Sequence, residues 1–532
     1  MKNAIILAAG KSNRFAPFTY EKPKGLFCVR GEILIERQIE QLIESGISEI
    51  IVVIGYMKEK FFYLEKKYPQ VKLIINNTYG KYGNIYSLYV AKKYIKNSYI
   101  CCADQYFVNN PFMDNNNSNI SYRACTYYTK KFREFSIDYT DANVISGCYM
   151  GGSDKMAMVG HAYFNEKFSK LFVKFMDDEI NNFGIANMFW EEFYGRHLKE
   201  LTLYIKEFGQ DKILEFDSID ELRRFDSDFL LNVDSQIIDN ICSKLECHPN
   251  DIIDISVIQA GLTNVSFKFT VDGTEYVYRH PGGTAGNLID RKTELYTQYK
   301  AKDLGLDKSF IYMDPKGWKL SYYVKDIIKC DFINNLDQLQ KGMSYLRLTH
   351  TIPISTEMRV FDNVIEGKKL MAIACATKGN LFNEFKDLLE KIDIVDNYIK
   401  LERKKYNINM VTSHNDVYEP NFIATKDGDL YLIDWEYAGV MDPANDICSI
   451  ITRYEYGEEI NNKLLKAYYG HELSELEYRH TMAQAIVNAF YWVCWGLYKG
   501  SLGEEDGFFM LPAYRYIINH IDNVISSYEE VF

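Results

Sequence analysis

The chain has 532 residues, of which 47% are hydrophobic and 25% charged, and its formal net charge at pH 7 is −12. These values are typical of a globular protein with more than one domain, and the negative charge argues against a surface that coats nucleic acid. No apolar run reaches the length of a membrane span, and the 11 scattered cysteines are typical of buried thiols in a reducing compartment, so we expect a cytoplasmic protein without a membrane span.

Short apolar runs and amphipathic segments alternate through the first hundred residues. The apolar runs predict strands and the amphipathic segments predict helices, with Asn84 as a helix cap. This alternation predicts an α/β domain with a parallel sheet and ligands at the carboxyl ends of its strands. The predicted strands are 4–7, 50–54, 71–75 and 99–103, and the predicted helices are 33–44, 58–67 and 84–95.

The loop after the first predicted strand reads LAAGKSNRFAPFTYEKPKG, residues 7–25. Its small residues allow backbone amides to approach phosphates closely, so we assign nucleotide binding to Leu7, Ala8, Ala9 and Gly10. Arg14 and Lys24 can neutralise charge that develops on phosphates, and we expect both to be catalytic. The stretch resembles the signature of nucleotidyltransferases that activate sugar phosphates or phosphocholine, with Ser12 in place of the usual second glycine.

Two aspartates are candidate metal ligands in this half. Asp104 ends the fourth predicted strand, and Asp217 lies in the later segment LEFDSIDEL. The resemblance implies that both carboxylates hold the magnesium that bridges the nucleotide and the attacking phosphate. Asp104 is also compatible with a strand-end turn, and Asp217 with a helix N-cap.

Within the nucleotidyltransferases, residues 1–230 resemble bacterial CTP:phosphocholine cytidylyltransferases. The likeness rests on the segments NIYSL at 84–88 and NMFWEE at 187–192 and on Asp104. It implies that Asn84 binds nucleotide and that Tyr86, Trp190, Glu191 and Glu192 bind a trimethylammonium group, through π faces and carboxylates. For Trp190 an ordinary core position is an equal alternative.

No Gly/Ser-rich or Pro-rich linker separates the halves of the chain. We place the boundary near Leu231, which predicts a nucleotidyltransferase domain over 1–231 and a second domain over 232–532.

In the second half, residues 413–436 read SHNDVYEPNFIATKDGDLYLIDWE. The spacing suits phosphoryl transfer, with Asp416 as the base that accepts the hydroxyl proton and with Asn421 and Asp434 on magnesium. The stretch resembles the catalytic loops of the protein-kinase-like superfamily, in its choline/ethanolamine and aminoglycoside kinase branch. The resemblance implies a two-lobed α+β fold; the alternative is a hairpin with acids on its wet face.

The segment before these loops predicts the nucleotide site of such a kinase. Residues 257–269 read as strand, turn and strand, and the resemblance assigns phosphate contacts to Thr263, Asn264 and Ser266. Arg279 stands where protein kinases carry a phosphate-binding lysine, and Glu294 on the next predicted helix is its expected partner. A surface ion pair is the alternative for these two residues.

Near the C-terminus, Trp492, Trp495 and Tyr498 follow one another at intervals of three residues. That spacing places them on one helix face. The segment resembles the aromatic helix that lines the choline pocket of choline kinases, and an aromatic wall holds a quaternary ammonium without hydrogen bonds. An ordinary core helix is the alternative.

Together these resemblances predict an α/β protein: a Rossmann-like nucleotidyltransferase domain followed by a two-lobed kinase-like domain. They imply a bifunctional enzyme that phosphorylates choline with ATP and then transfers a cytidylyl group from CTP to phosphocholine, with Mg²⁺ as cofactor. The same reactions on ethanolamine, a sugar-1-phosphate nucleotidyltransferase fused to a sugar or aminoglycoside kinase, and a degenerate regulatory half are the alternatives. The partners expected are these small molecules, and the oligomeric state is left open, a homo-oligomer included.

Overall fold

The computed structural model describes residues 2–113, 119–258, 265–282, 288–379, 385–503, 508–529 and 531–532. The chain divides into two compact units, Met1–Val257 with Thr270–Asp272, and Ile258–Phe269 with Gly273–Phe532. Among the described residues, no helix is both long and apolar enough to cross a membrane.

The first unit contains both strands and helices. Its strands are β1 (Lys2–Ala8), β2 (Cys28–Val29), β3 (Glu32–Ile33), β4 (Ile50–Ile54), β5 (Val71–Ile75), β6 (Asn97–Cys102), β7 (Gln105–Phe107), β8 (Tyr122–Tyr128), β9 (Phe132–Tyr139), β10 (Ile145–Gly152), β11 (Lys155–Phe164), β12 (Tyr204–Glu207), β13 (Ile213–Glu215) and β14 (Ile253–Ile258). Its helices are α1 (Leu34–Glu44), α2 (Tyr63–Lys67), α3 (Asn84–Val90), α4 (Glu166–Glu179), α5 (Phe183–Ala186), α6 (Trp190–Arg196), α7 (Ile219–Phe225), α8 (Phe229–Asn232) and α9 (Gln236–Leu245).

A nine-stranded sheet forms the centre of this unit. Strands β5, β4, β1 and β6 are parallel neighbours in that order, which confirms the parallel sheet predicted for the first hundred residues. The apolar runs of β1 and β4 are buried on both faces, as expected for parallel strands covered by helices. From β8 onward the sheet continues with antiparallel pairs of β11 with β6, β8 and β9, and of β9 with β10, which the strand–helix alternation does not predict.

The parallel register brings two predicted site segments to one edge of the sheet. Leu7 of β1 pairs with Cys102 of β6, and the amide of Ala103 donates to the carbonyl of Leu7 over 3.0 Å. The loop after β1 and the residues that follow β6 therefore leave the sheet side by side, where open α/β sheets bind ligands.

Two predicted helices differ from those observed. The predicted helix 58–67 consists of a 3₁₀ turn, Lys58–Phe61, followed by α2, and the predicted helix 84–95 ends at Val90 before a second 3₁₀ turn, Lys92–Tyr94. Asn84 is the first residue of α3 and does not cap it, since Gly83 occupies the cap position without a side-chain hydrogen bond.

The division between the units comes at Val257, later than the boundary predicted at Leu231. The residues after 231 are held to the first unit by Glu21, whose carboxylate accepts hydrogen bonds from Ser235 Oγ over 2.5 Å and from the Ile237 amide over 3.1 Å. Lys22 Nζ also donates to the carbonyls of Val233 and Asp234. The extent of each catalytic domain remains a prediction.

The second unit is rich in longer helices. Its strands are β15 (Val265–Val271), β16 (Thr274–His280), β17 (Phe310–Met313), β18 (Lys319–Tyr322), β19 (Ile327–Ile328), β20 (Val411–Ser413), β21 (Phe422–Thr425), β22 (Leu430–Leu432) and β23 (Gly439–Met441). Its helices are α10 (Arg291–Asp303), α11 (Leu336–Thr349), α12 (Asn363–Lys378), α13 (Phe385–Tyr406), α14 (Asn445–Arg453), α15 (Glu458–Tyr469), α16 (Glu475–Ser501) and α17 (Met510–Glu529).

A sheet and a helical region make up this unit. Strands β15, β16, β18 and β17 are neighbours in one sheet, while β19–β21–β22 and β20–β23 form two small sheets among the helices. Helix α16 packs on α12, α13, α14 and α17 and is buried along most of its length. Ser474 and Glu477 form a capping box at its start, which satisfies two free backbone donors.

A buried charge network ties α16 to α13 and to the segment before α14. His480 contacts two carboxylates, with Nδ1 at 2.9 Å from Glu402 Oε2 and Nε2 at 2.9 Å from Asp442 Oδ2. Arg479 and the Tyr528 hydroxyl also donate to Glu402. Burial alone lowers the pKa of His480, but hydrogen bonds and charge from Asp442 and Glu402 outweigh it and raise the pKa to about 9.

The raised pKa predicts that His480 stabilises the second unit in acid and neutral solution. The contribution is fully present below the ordinary histidine pKa of about 6.5 and is lost as pH rises through the folded value near 9. We expect His480→Gln to lower the Tm by a few degrees at pH 7, and the difference from wild type to shrink at pH 9.5. Thermal unfolding followed at both pH values measures it, and a difference that does not change with pH contradicts the charged histidine.

Candidate active sites

In the first unit, Lys24 lies beside Asp104 at the carboxyl edge of the sheet. Its Nζ is 2.9 Å from Asp104 Oδ2 and donates to the carbonyl of Phe216 over 2.7 Å. The neighbouring Gly25 allows this approach, because a Cβ there would lie 2.8 Å from the Cβ of Ala103. The structure thus brings a buried lysine and a partly exposed carboxylate together from segments that are far apart in sequence.

Arg14 and Asp217 form a second, more exposed pair at the same site. Arg14 Nη1 lies 2.7 Å from Asp217 Oδ1. Helix α7 is capped by Ser218, whose side chain accepts from the amide of Glu221, so Asp217 is not the N-cap that its sequence also suggested. Asp217 is therefore free of that structural role, and its part in binding metal remains a prediction.

Two further acids in this unit escaped sequence analysis. Burial, together with the charges of Asp104 and Glu134, raises the pKa of Glu215 to about 8. Burial and the charges of Asp217 and Glu191 also raise the pKa of Glu134. Glu215 stands two residues before Asp217, which is the one sequence signal that points to it, whereas Glu134 reaches the site from the antiparallel part of the sheet.

The residues proposed for the trimethylammonium group occupy different environments. Trp190 is 2% exposed and packs against Phe164 in the core, which is the alternative that the sequence left open. Glu191 is also buried and lies 3.3 Å from Arg123 Nη2, whereas Glu192 is exposed. Arg123, which also lies over the Trp190 ring, was not foreseen.

Tyr86 and Asn84 lie on α3, which contacts α6, the helix that carries Trp190 and Glu191. The Tyr86 ring is half-buried and stacks on Tyr82 at 4.6 Å between centroids. The Asn84 side-chain oxygen accepts from the amide of Trp190 over 2.7 Å and so joins α3 to α6. The glycine-loop residues Leu7, Ala8 and Ala9 are buried at the end of β1, and Gly10 is exposed, with no atom within 4 Å of the place its Cβ would take.

In the second unit, Asp446 fixes the backbone of the loop that contains His414, Asn415 and Asp416. Its carboxylate accepts hydrogen bonds from the amides of His414 over 3.2 Å and Asn415 over 2.8 Å. His350 Nε2 lies 3.1 Å from the same carboxylate. Asn415 has a left-handed backbone, φ 65°, and its side-chain nitrogen Nδ2 donates to the Tyr437 carbonyl. Asp446 therefore braces this loop, whereas Asp442 contacts His480.

This loop places Asp416 and Asn421 in direct contact. Asn421 Nδ2 donates to Asp416 Oδ2 over 3.0 Å and to the Asp416 carbonyl over 2.8 Å. Asp416 Oδ1 accepts from Arg453 Nη2 over 2.5 Å. Both carboxylate oxygens are thus engaged, one by the neighbour expected from sequence and one by an arginine that sequence analysis did not single out.

A chain of ion pairs connects Arg279 on β16 with Asp434, the first residue of the sequence DWE at 434–436. Arg279 Nη2 donates to Glu294, and Arg279 Nη1 donates to Asp434 Oδ1 over 2.9 Å. Arg291 also donates to Glu294. The Arg279–Glu294 pair expected from sequence is present, and it is buried rather than on the surface. Of the predicted phosphate loop, Ser266 lies in β15, while Thr263 and Asn264 lie outside the described residues.

The aromatic residues near the C-terminus lie on α16, as predicted, and are buried. Trp492, Trp495, Tyr437 and Phe509 make an aromatic cluster, with Trp492 contacting Tyr437 at 5.6 Å and Phe509 at 5.4 Å between centroids. Trp495 Nε1 donates to the Tyr437 hydroxyl over 2.8 Å, and Tyr498 is also buried. The cluster adjoins Asp416, because the Arg453 guanidinium that binds Asp416 also lies 4.1 Å from the Trp492 ring centre.

The donor types at both sites suit magnesium bound partly by nucleotide. Within the described residues, no three His, Cys, Asp or Glu side chains are grouped to hold a metal by themselves. Mg²⁺ usually takes one or two carboxylates together with substrate phosphates. Asn421 with Asp434, and Asp104 with Asp217, supply oxygens of that kind, and in Asn421 the amide nitrogen is already committed to Asp416.

Comparison with known proteins matches each unit to a family. Residues 4–132 match the MobA-like NTP transferase domain, and residues 255–468 match choline/ethanolamine kinase. A 2-aminoethylphosphonate cytidylyltransferase of Lancefieldella rimae is 37% identical over 43% of this chain and 93% of that protein. A choline-phosphate cytidylyltransferase of Streptococcus pneumoniae is 34% identical over 42% of this chain and 96% of that protein.

Through its first unit, the chain belongs to the cytidylyltransferases. It joins a nucleotidyltransferase domain with cytidylyltransferase relatives to a choline/ethanolamine kinase domain, and both are transferases. The crystal structure of choline kinase LicA from Streptococcus pneumoniae is 21% identical, covers 54% of this chain and 98% of its own, and superposes with a TM-score of 0.44.

Loss of the Glu294 charge should impair the kinase reaction. In Glu294→Gln, Arg279 and Arg291 lose their shared carboxylate. Arg279 then keeps only Asp434 as a charged partner and should be less well placed for the expected contact with phosphate. We expect kcat/KM for ATP in the kinase reaction to fall by about tenfold or more, a loss of about 1.4 kcal/mol. The matched control is Glu275→Gln, on the same strand as Arg279. This change breaks more exposed ion pairs, with Lys268 and Lys325, and should have little effect on the ATP kinetics.

Steady-state kinetics of both variants, with circular dichroism to verify folding, measure this effect. Equal ATP kinetics in folded Glu294→Gln and wild-type protein would show that the pair is only structural.

Proposed function

We propose that this chain makes CDP-choline in two steps, with choline kinase activity in the second unit and phosphocholine cytidylyltransferase activity in the first. The observation that carries the choice of amine is the position of Asp416, whose carboxylate adjoins a buried aromatic cluster where a guanidinium already rests on the Trp492 ring. Aromatic faces bind cations without hydrogen bonds, which suits a quaternary ammonium.

In the kinase step, Asp416 accepts the proton of the choline hydroxyl as its oxygen attacks the γ-phosphorus of ATP and ADP leaves. Asn421 fixes the carboxylate of Asp416 by its hydrogen bond to Oδ2. Arg279, fixed by Glu294 and Asp434, supplies positive charge to the phosphates.

In the cytidylyl step, an oxygen of the phosphocholine phosphate attacks the α-phosphorus of CTP, and pyrophosphate leaves. Lys24 and Arg14 neutralise charge that grows on the phosphates, and their present partners Asp104 and Asp217 keep both side chains at the site. Burial and neighbouring acids raise the pKa values of Glu134 and Glu215, so a cation bound beside them would favour their ionised forms.

Mg²⁺ bound at Asn421 and Asp434 and at Asp104 and Asp217 would neutralise phosphate charge in the two reactions. Each unit should therefore lose activity when the metal is removed.

Three alternatives differ from this proposal in the substrate. Ethanolamine would suit a kinase pocket with acceptors for its N–H groups, whereas the described cluster offers mainly ring faces. The relative named for 2-aminoethylphosphonate raises that compound as a substrate of the first unit. However, its phosphorus is already bonded to carbon, so it would not need the kinase to which this unit is fused. A sugar substrate has no cation for the rings to bind.

A substrate panel tests the proposal. Kinase assays with choline and ethanolamine, and cytidylyltransferase assays with phosphocholine, phosphoethanolamine and 2-aminoethylphosphonate, give kcat/KM for each compound. We expect choline and phosphocholine to be preferred by about tenfold or more. Preference for ethanolamine, or for 2-aminoethylphosphonate in the first unit, would replace choline in the proposal.

Substitution in the aromatic cluster tests the ring contribution separately. Trp492→Leu and Trp495→Leu keep apolar bulk and remove a π face, worth on the order of 1–2 kcal/mol to a desolvated cation. At least one of them should raise the KM for choline by about tenfold and leave the KM for ATP nearly unchanged. Phe490→Leu is the matched control, since its ring lies on the same helix but against Gly367 of α12.

If choline kinetics are unchanged in both tryptophan variants, or equally impaired in Phe490→Leu, Trp492 and Trp495 belong to an ordinary helix core and not to a choline pocket.

A further inference from the structure

Arg453 is a charged side chain buried beside the proposed base. It is the last residue of α14, and only 1% of its side chain is exposed. Arginine is rarely buried to this extent unless it is paired. Its pairing therefore indicates what the surrounding site is built to hold.

Three aromatic rings surround the guanidinium. Its Cζ lies 4.1 Å from the ring centre of Trp492, 4.3 Å from that of Tyr418 and 4.9 Å from that of Phe509. All three distances lie within the range of cation–π attraction. The site that encloses Arg453 is thus a cation site by its geometry.

The same guanidinium is held by the charge of Asp416, over 2.5 Å, but uses few of its hydrogen-bond donors. Within the described part of the chain, Arg453 Nε is buried without a hydrogen-bond partner, and so is Trp492 Nε1. Ring faces and one carboxylate therefore do most of the binding. These are also the interactions that a choline molecule would use if its hydroxyl reached Asp416 and its ammonium reached the rings.

Two cations cannot share this place without strong repulsion. Arg453 is at the end of a helix, and residues 454–457 after it belong to neither helix nor strand, so its long side chain can turn away without unwinding an element. Turning away would also free Asp416 Oδ1 to accept the hydroxyl proton.

We propose that Arg453 determines substrate specificity in the kinase by occupying the cation subsite, and that the substrate ammonium enters by displacing its guanidinium from Asp416 and the rings. The inference rests on the proposed function and adds the residue that sets its selectivity. A cation that fits the rings better than a guanidinium can take the site, whereas neutral alcohols and water meet a base whose oxygens are already engaged.

Binding of tetramethylammonium tests the displacement without any reaction, since this ion has no hydroxyl. Isothermal titration of the full chain compares wild type with Arg453→Gln, which keeps the polar stem and removes the charge, and with Arg453→Lys, which keeps the charge. We expect Arg453→Gln to bind the ion at least about tenfold more tightly than wild type, and Arg453→Lys to stay within about threefold. Equal or weaker binding by folded Arg453→Gln overturns the proposal.

A second measurement needs no substitution and covers the case in which Arg453→Gln does not fold. Phenylglyoxal modifies accessible arginines, and mass spectrometry of the peptide that contains Arg453 gives its rate of modification. We expect saturating tetramethylammonium to speed this modification several-fold, because the displaced side chain reaches solvent. An unchanged or slower rate overturns the proposal.

These tests separate the inference from the proposed function. If wild-type protein phosphorylates choline but tetramethylammonium fails both tests, only the role of Arg453 is lost. If the tests succeed but neither choline nor ethanolamine is phosphorylated, the cation subsite stands and the assigned substrate is wrong.

Discussion

Both sites depend on ionised groups that are withdrawn from water and therefore must be paired. Lys24 is nearly buried against Asp104, Arg279 is shared between Glu294 and Asp434, and Arg453 binds Asp416. A buried charge without a partner costs several kcal/mol, so these pairs fix where each site residue lies before any substrate arrives. They also supply the opposite charges that the proposed polyphosphate and cationic substrates require.

The two units reach this arrangement by different means. In the first, parallel pairing of β1 with β6 brings the glycine-containing loop and Asp104 to one edge, and Gly25 lets the segment with Lys24 lie against the end of β6. In the second, the buried carboxylate of Asp446 holds the backbone at His414 and Asn415, and Arg453 links Asp416 to the Trp492 ring of α16. One site is therefore set by strand register, and the other by a braced loop against a helix.

Sequence reasoning reached the residues whose neighbours are local or whose motifs have fixed spacing. The four parallel strands, the helical stripe with Trp492 and the Arg279–Glu294 pair are of this kind. It did not foresee Glu134 and Arg453, because their positions depend on contacts made only in the folded chain; Arg453 lies 37 residues from Asp416 in sequence. Trp190 shows the converse limit, since a tryptophan suited to a cation site is equally suited to the core. Its burial against Phe164 favours the core, and a role in substrate binding stays a prediction.

The central claim is that each unit carries its own complete site. Phosphorus NMR of the full chain with ATP, CTP, Mg²⁺ and either choline or phosphocholine tests it in two variants. The account predicts that Asp416→Asn makes no phosphocholine from choline but still converts supplied phosphocholine to CDP-choline and pyrophosphate, whereas Asp104→Asn accumulates phosphocholine and ADP without CDP-choline. A folded variant in which one substitution silences both reactions would contradict the account.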